Sequence, residues 1–212
     1  MTLLLALYFL PGSVTAQKFV NSIMTNLPLE VRVDHTLYVV IKAEPSVPTE
    51  KIQIIKDAVM SSHSFTKDGK KFYEGWQGAL RASEHHTMFY MPVNLKIANS
   101  ASNNIKVTIT LTSSKSDLGY SGYTSFSEYH KMLENTHIVI YEADKLSDDD
   151  LAAITRHEFG HALGLGHSSS SGDLMYPDID GRSTFISEYN VDALIALYNG
   201  KILSQYFEEN AT

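Results

Sequence analysis

Arg156 to Pro177 reads RHEFGHALGLGHSSSSGDLMYP, and its histidines constrain the chain more than anything else in it. His157 and His161 are four residues apart. On an α-helix that spacing puts both imidazoles on one face, one turn apart, able to grip a single ion. Gly164 follows three residues later. Without a Cβ it can take a left-handed conformation, end the helix and reverse the chain. That reversal would bring His167 to the same ion as a third nitrogen ligand. Three neutral nitrogens leave one tetrahedral position open, which is the pattern of a catalytic zinc rather than a closed structural one. Glu158 lies about 100° round the helix from His157, better placed to hold the bound water than to bind metal. The helix also has a start: Ser147 precedes Asp148, Asp149 and Asp150, a cap followed by charge that suits the helix dipole.

The expected chemistry follows from those residue types. Zinc can lower the pKa of its water from about 15.7 towards 7. Glu158 would act as general base on this zinc-activated water as it attacks a carbonyl, then pass the proton to the leaving amine. One catalytic zinc is the expected cofactor. The runs around it lend no support to other hydrolytic chemistry. Ser168 to Ser171 reads as a flexible connector, because no second catalytic histidine accompanies it in a recognised order.

Composition narrows the alternatives. The chain has no cysteine, which excludes disulfides, thiolate zinc sites, iron–sulfur clusters and cysteine nucleophiles. Nine histidines remain as metal ligands. The formal charge of −7, without a basic run, disfavours nucleic acid as a partner. A length of 212 residues fits one ordinary domain with a real core.

Residues 3–10 form a continuous apolar run, followed by Pro11-Gly12-Ser13 and the small residues before Ala16. This is the pattern of a secretory signal, expected to span 1–16. The run is too short to cross a bilayer, so no stable membrane span is expected after its removal. A secreted or surface location follows. An extension at 17–34, a catalytic domain at 35–203 and a tail at 204–212 complete the expected organisation. Thr36 to Lys42, Met88 to Ile97, Ile105 to Thr112 and His137 to Tyr141 read as strands, the third with clean alternation. Asp117 to Phe126 reads as a loop or an irregular edge strand. Helices are expected from Glu50, with Ile52, Ile55 and Val59 on one face, around Trp76, over 148–163 and over 187–198. Lys67 to Lys71 reads as a turn. The order predicts an α/β (α+β) sandwich.

The eleven-residue pattern HEFGHALGLGH, with Met175 eight residues beyond His167, resembles the metzincin zinc proteases. Ser168 after the third histidine, and Leu174-Met175-Tyr176-Pro177, resemble the matrixin branch. The last helix, ending Leu197-Tyr198-Asn199-Gly200, is similar to the matrixin C-terminal helix. The resemblance implies a twisted mixed sheet of about five strands with three main helices. It implies that Met175 is an apolar floor beneath the zinc, and that an extended peptide pairs with an edge strand within 118–127. The implied specificity pocket lies between the active helix and residues 176–185, with Tyr176 and Pro177 in its wall. Tyr120 and Tyr123 are further candidates for the groove, as is Trp76, although core packing for Trp76 and loop surface for the tyrosines are the plainer readings. A monomer is expected.

The departures are informative. Many matrixins are silenced by a propeptide cysteine on the zinc, and this sequence has no cysteine to do so. A second zinc at His130 and His137 lacks its remaining ligands, and Asp178 to Gly181 lacks those of a calcium loop. His85 and His86 read as solvated. A zinc amidase or cell-wall peptidase on the same scaffold is the alternative within enzymes. A silent zinc-holding binding module is the alternative outside them, and Glu158 speaks against it.

Overall fold

The computed structural model describes residues 36–84, 91–99, 106–129, 132–178 and 183–198. The expected leader, N-terminal extension and C-terminal tail lie outside these residues, as do His85, His86, His130 and most of the 178–181 segment.

Five strands form the main sheet: β1 (Thr36–Ala43), β4 (Asn94–Ile97), β5 (Lys106–Leu111), β6 (Gly122–Tyr129) and β7 (Met132–Ile140), in the order β4-β1-β5-β7-β6. The first four in that order run parallel, and β6 closes the edge antiparallel to β7. Period-2 alternation decides which side chains face inward. Val107, Ile109 and Leu111 of β5 are fully buried, and the register sets Ile109 beside Ile138 and Leu111 beside Ile140. Across the antiparallel pair, Gly122 faces Ile140 and Thr124 faces Ile138. Gly122 and Thr124 therefore point to the same, core side of the sheet.

Three helices pack against this sheet, α1 (Glu50–Met60), α2 (Trp76–Ser83) and α3 (Asp148–Ala162), and α4 (Glu188–Tyr198) packs against α2. Ile55 and Val59 of α1 are buried as their spacing predicts, with Ile52 packed against the core beside them. No helix among the described residues is long and apolar enough to cross a membrane.

A second sheet was not anticipated. β2 (Ser64–Lys67), β3 (Lys70–Tyr73) and the two-residue β8 (Ile186–Ser187) form it in the order β2-β3-β8. Of Lys67 to Lys71, read as a turn, only Asp68 and Gly69 turn; Lys67 ends β2, and Lys70 and Lys71 begin β3. Asp68 and Gly69 both take positive φ, 52° and 75°, which is the requirement of the two-residue hairpin turn that matches strand twist. Phe65 pairs with Phe72 across the hairpin with ring centroids 5.7 Å apart, and Phe185 meets Phe65 edge-on at 4.9 Å. Of the stretch read as a strand from Met88, β4 occupies only Asn94–Ile97, and residues 91–93 are coil.

Candidate metal centre

Helix α3 starts where the sequence places it. Ser147 Oγ accepts the Asp150 N–H at 3.1 Å and donates to Asp150 Oδ2 at 2.6 Å, a reciprocal cap on the first turn. The stop is equally local. The Gly164 N–H donates to the His161 carbonyl at 2.9 Å, and the Leu165 N–H to the Gly160 carbonyl at 3.0 Å. These are the two bonds of a Schellman ending, and Gly164 supplies its left-handed residue at φ 102°. Space also matters there, since a Cβ on Gly164 would stand 2.9 Å from Leu197 of α4.

The ending has a chemical result. It turns the Leu165 carbonyl back onto His161, whose Nδ1 lies 2.8 Å from that oxygen. His157 Nδ1 lies 2.8 Å from the Leu174 carbonyl. A carbonyl oxygen only accepts, so each Nδ1 carries the proton and each neutral ring presents a lone pair at Nε2. Those two Nε2 atoms face each other at 3.1 Å. Two facing lone pairs at that distance need a shared proton or a cation between them. Nitrogens held at about 2.0–2.1 Å in a zinc tetrahedron stand about 3.3 Å apart, close to what is seen. His167 completes the set, and one ligand atom from each of the three histidines lies within 4.8 Å of the others. The residues fit a zinc ion by donor type, tautomer and spacing.

Glu158 is buried beside them at 3% exposure, and its Oε2 accepts from the Thr124 hydroxyl at 2.6 Å. Met175 is buried against α3: a Cβ on Gly160 would come within 2.6 Å of its sulfur. Its turn is built by Asp173, which accepts the Met175 N–H at 2.7 Å and the Asn190 amide at 3.0 and 3.1 Å. Burial raises the Asp173 carboxyl above its ordinary range, opposed by the Met175 N–H and the Asn190 amide. Ser168 belongs to this turn rather than to a flexible connector. It is buried, and its N–H donates to the Met175 carbonyl at 2.9 Å.

Further bonds to α3 come from Trp76, read from the sequence as core, and from partners of Arg156 that the sequence did not indicate. The Trp76 indole N–H donates to the Arg156 carbonyl at 2.8 Å. Arg156 is itself buried, with Nε on the Glu74 carbonyl and Nη1 on the Thr184 carbonyl, both at 2.6 Å. Its guanidinium lies over the Phe185 ring at 4.9 Å. Burial lowers its pKa to about 10, against the pull of Glu74 and Asp149, so it remains a cation at neutral pH. Trp76 is fully buried, which makes it core and not groove. Sequence alone gave no local signal for Arg156, because its carbonyl partners lie 82 and 28 residues away.

Tyr176 and Pro177 follow Met175 at intermediate burial, and Asp178 is exposed. Tyr120 and Tyr123 stack, with centroids 6.0 Å apart and planes at 11°. Tyr120 is buried, so the loop-surface reading fails for it. Alternation directs Tyr123 to the sheet face opposite Thr124. His137 is exposed on β7.

A helix closed by a glycine turn, three converging imidazoles and a buried carboxylate define a candidate metal centre. The family model described as Matrixin matches residues 73–199, more than half of the chain, and the chain belongs to the matrixin family. Human neutrophil collagenase is 42% identical over 52 residues, 23% of this chain and 11% of its own length. Matrix metalloproteinase-27 of Tupaia belangeri is 31% identical over 86 residues, 39% of this chain and 15% of its own length. Metalloendoproteinase 5-MMP of Arabidopsis thaliana is 40% identical over 53 residues, 24% of this chain and 15% of its own length. The chain thus spans 11 to 15% of the length of these curated relatives. The mixed five-stranded sheet and its helices are those of the matrixin fold.

Proposed function

We propose that this chain is a secreted zinc endopeptidase, with His157, His161 and His167 as ligands to one catalytic zinc and Glu158 as general base. The catalytic domain is assigned to 35–203, and secretion rests on the apolar leader at 1–16. The observation that carries the reading is the pair of Nε2 lone pairs at 3.1 Å, each fixed by a carbonyl on its Nδ1. When bound, zinc supplies Lewis-acid polarisation of the scissile carbonyl and acidifies water. Glu158 takes a proton from the attacking water and delivers it to the departing amine nitrogen as the C–N bond breaks. Burial of Glu158 keeps that proton from bulk solvent. Met175 holds the floor through its contact with Gly160, and Gly164 holds the turn that aims His161.

The substrate class is a peptide or protein bound in extended form along the β6 edge, whose outer side has no strand neighbour among the described residues. Tyr176 and Pro177 are assigned to the pocket wall, and Tyr123, stacked on the buried Tyr120, to the rim of that edge.

The test measures zinc content and hydrolysis of a mixed quenched-peptide library by the chain and by Glu158→Ala. Chelator-sensitive cleavage by the parent alone, with one zinc in both, is the expected result. One zinc with no cleavage by either would transfer the assignment to a zinc-holding binding module.

A further inference from the structure

We propose that Thr124 and Gly122 are positioning residues that set the orientation of the Glu158 carboxylate, one by a hydrogen bond and the other by leaving space. The inference rests on Glu158 as the proton-transfer group and names what aims it.

Thr124 is 1% exposed, on the core face of β6. Its hydroxyl lies 2.6 Å from Glu158 Oε2 and 3.1 Å from the Glu158 carbonyl. A hydroxyl has one proton to give, and 2.6 Å falls in the range of an O–H to carboxylate bond. The proton therefore goes to the carboxylate. Gly122 sits two residues earlier on the same face. A Cβ there would stand 2.7 Å from Glu158 Cγ, 2.7 Å from Oε1 and 2.8 Å from Ile154 Cγ2. Gly122 is not among the glycines with positive φ, so its backbone would accept alanine. What excludes a side chain is the space that Glu158 and Ile154 occupy.

The two residues act on the same carboxylate in different ways. A buried glutamate has side-chain freedom to lose, and a fixed orientation removes that loss from the reaction step. The edge strand that would pair with a peptide thus also aims the group that moves the proton. Helix α3 alone sets only the Cα of Glu158. Its carboxylate is set from β6, 34 residues away in sequence.

The experiment uses the full chain loaded with zinc. Thr124→Val keeps the shape and removes the hydroxyl. The bond to a charged partner predicts a fall in kcat of about 10- to 100-fold on a quenched peptide. KM and zinc stoichiometry should stay within about twofold, and Thr124→Ser should recover most of kcat. Gly122→Ala should lower kcat with zinc retained, through a different contact. Crystal structures of both variants give a readout independent of turnover, in which Glu158 leaves its present rotamer. An unchanged kcat in a folded Thr124→Val overturns the proposal. So does a Glu158 that keeps its place in both variants, or a Thr124→Ser that fails to rescue. If Thr124→Val melts below assay temperature, Gly122→Ala and Thr124→Ser carry the same decision. Inactivity of the parent would count against the endopeptidase reading alone, because the structures would still report whether Glu158 moves.

Discussion

The two ends of α3 are made in different ways. At its N-terminus the hydrogen bonds described are local except those of one residue. Ser147 and Asp150 cap each other within four residues, and the three aspartates are exposed. The exception is Lys51, which reaches the Leu146 carbonyl and Asp148 at 2.8 and 2.9 Å. At the C-terminus almost nothing is local beyond the glycine turn. Trp76, Glu74, Thr124, Leu174 and Thr184 all bond to residues 156–158, across separations of 17 to 82 positions. The first end makes a helix. The second makes a site, by drawing on β6, α2, the segments beside β3 and β8, and the methionine turn to fix side chains the helix alone would leave free to rotate.

The largest effect should come from the triad itself. His161→Ala removes one of three nitrogens and should lower bound zinc from one per chain to almost none, measured by metal analysis after dialysis. Retention of stoichiometric zinc would show that the ligands lie elsewhere. Next comes the hold on the far side of the helix. Arg156→Met keeps an apolar stem and leaves the Glu74 and Thr184 carbonyls without their donors. The loss should be about 2–4 kcal/mol in a urea titration. The sign of its pH dependence also follows. The folded pKa of Arg156 is lowered, so the cost of burying its charge is present throughout below about 10 and is relieved only above that value. The stability difference between parent and variant should therefore be flat between about pH 6 and 9. A slope in that range would mean that another group titrates with it.

The contrast between the ends also explains what could be read in advance. The cap, the glycine stop and the triad all lie between Ser147 and His167, where helical periodicity and one glycine turn relate the residues to each other. β5 was legible for the same reason, because Val107, Ile109 and Leu111 alternate cleanly. The small sheet was not. Its two longer strands have four residues each, and Lys67, Lys70 and Lys71 put charge where an apolar alternation would have announced a strand. The Asp68-Gly69 pair was the usable signal, since both residues take positive φ. Thr124 and Arg156 had no local signal of their roles. A threonine in a strand and an arginine in a helix become parts of a site only when a partner 28 to 82 residues distant arrives beside them.

A smaller effect should come from the clasp on the methionine turn. Asp173→Ala strips the acceptor from the Met175 N–H and from Asn190, at about 1–3 kcal/mol. The loss should be below that of Arg156→Met, because burial already disfavours the charged form of Asp173. Zinc affinity should weaken with it, since Leu174, between Asp173 and Met175, supplies the carbonyl that orients His157. Isothermal titration of zinc into the two proteins reads this directly. Equal affinities would separate the turn from the metal.

The smallest effect belongs to the exposed end. Ser147→Ala removes the acceptor of the Asp150 N–H and should cost about 1 kcal/mol of stability. Lys51 still holds the Leu146 carbonyl and Asp148 in that variant, so the entry to the helix stays in register. The metal site lies nearly three turns further on and takes its restraints from other segments. Zinc affinity and kcat should therefore match the parent while the melting temperature falls. If instead zinc affinity fell in step with stability, the C-terminal contacts would be transmitting what happens at the cap, and the helix would have to be treated as one rigid lever.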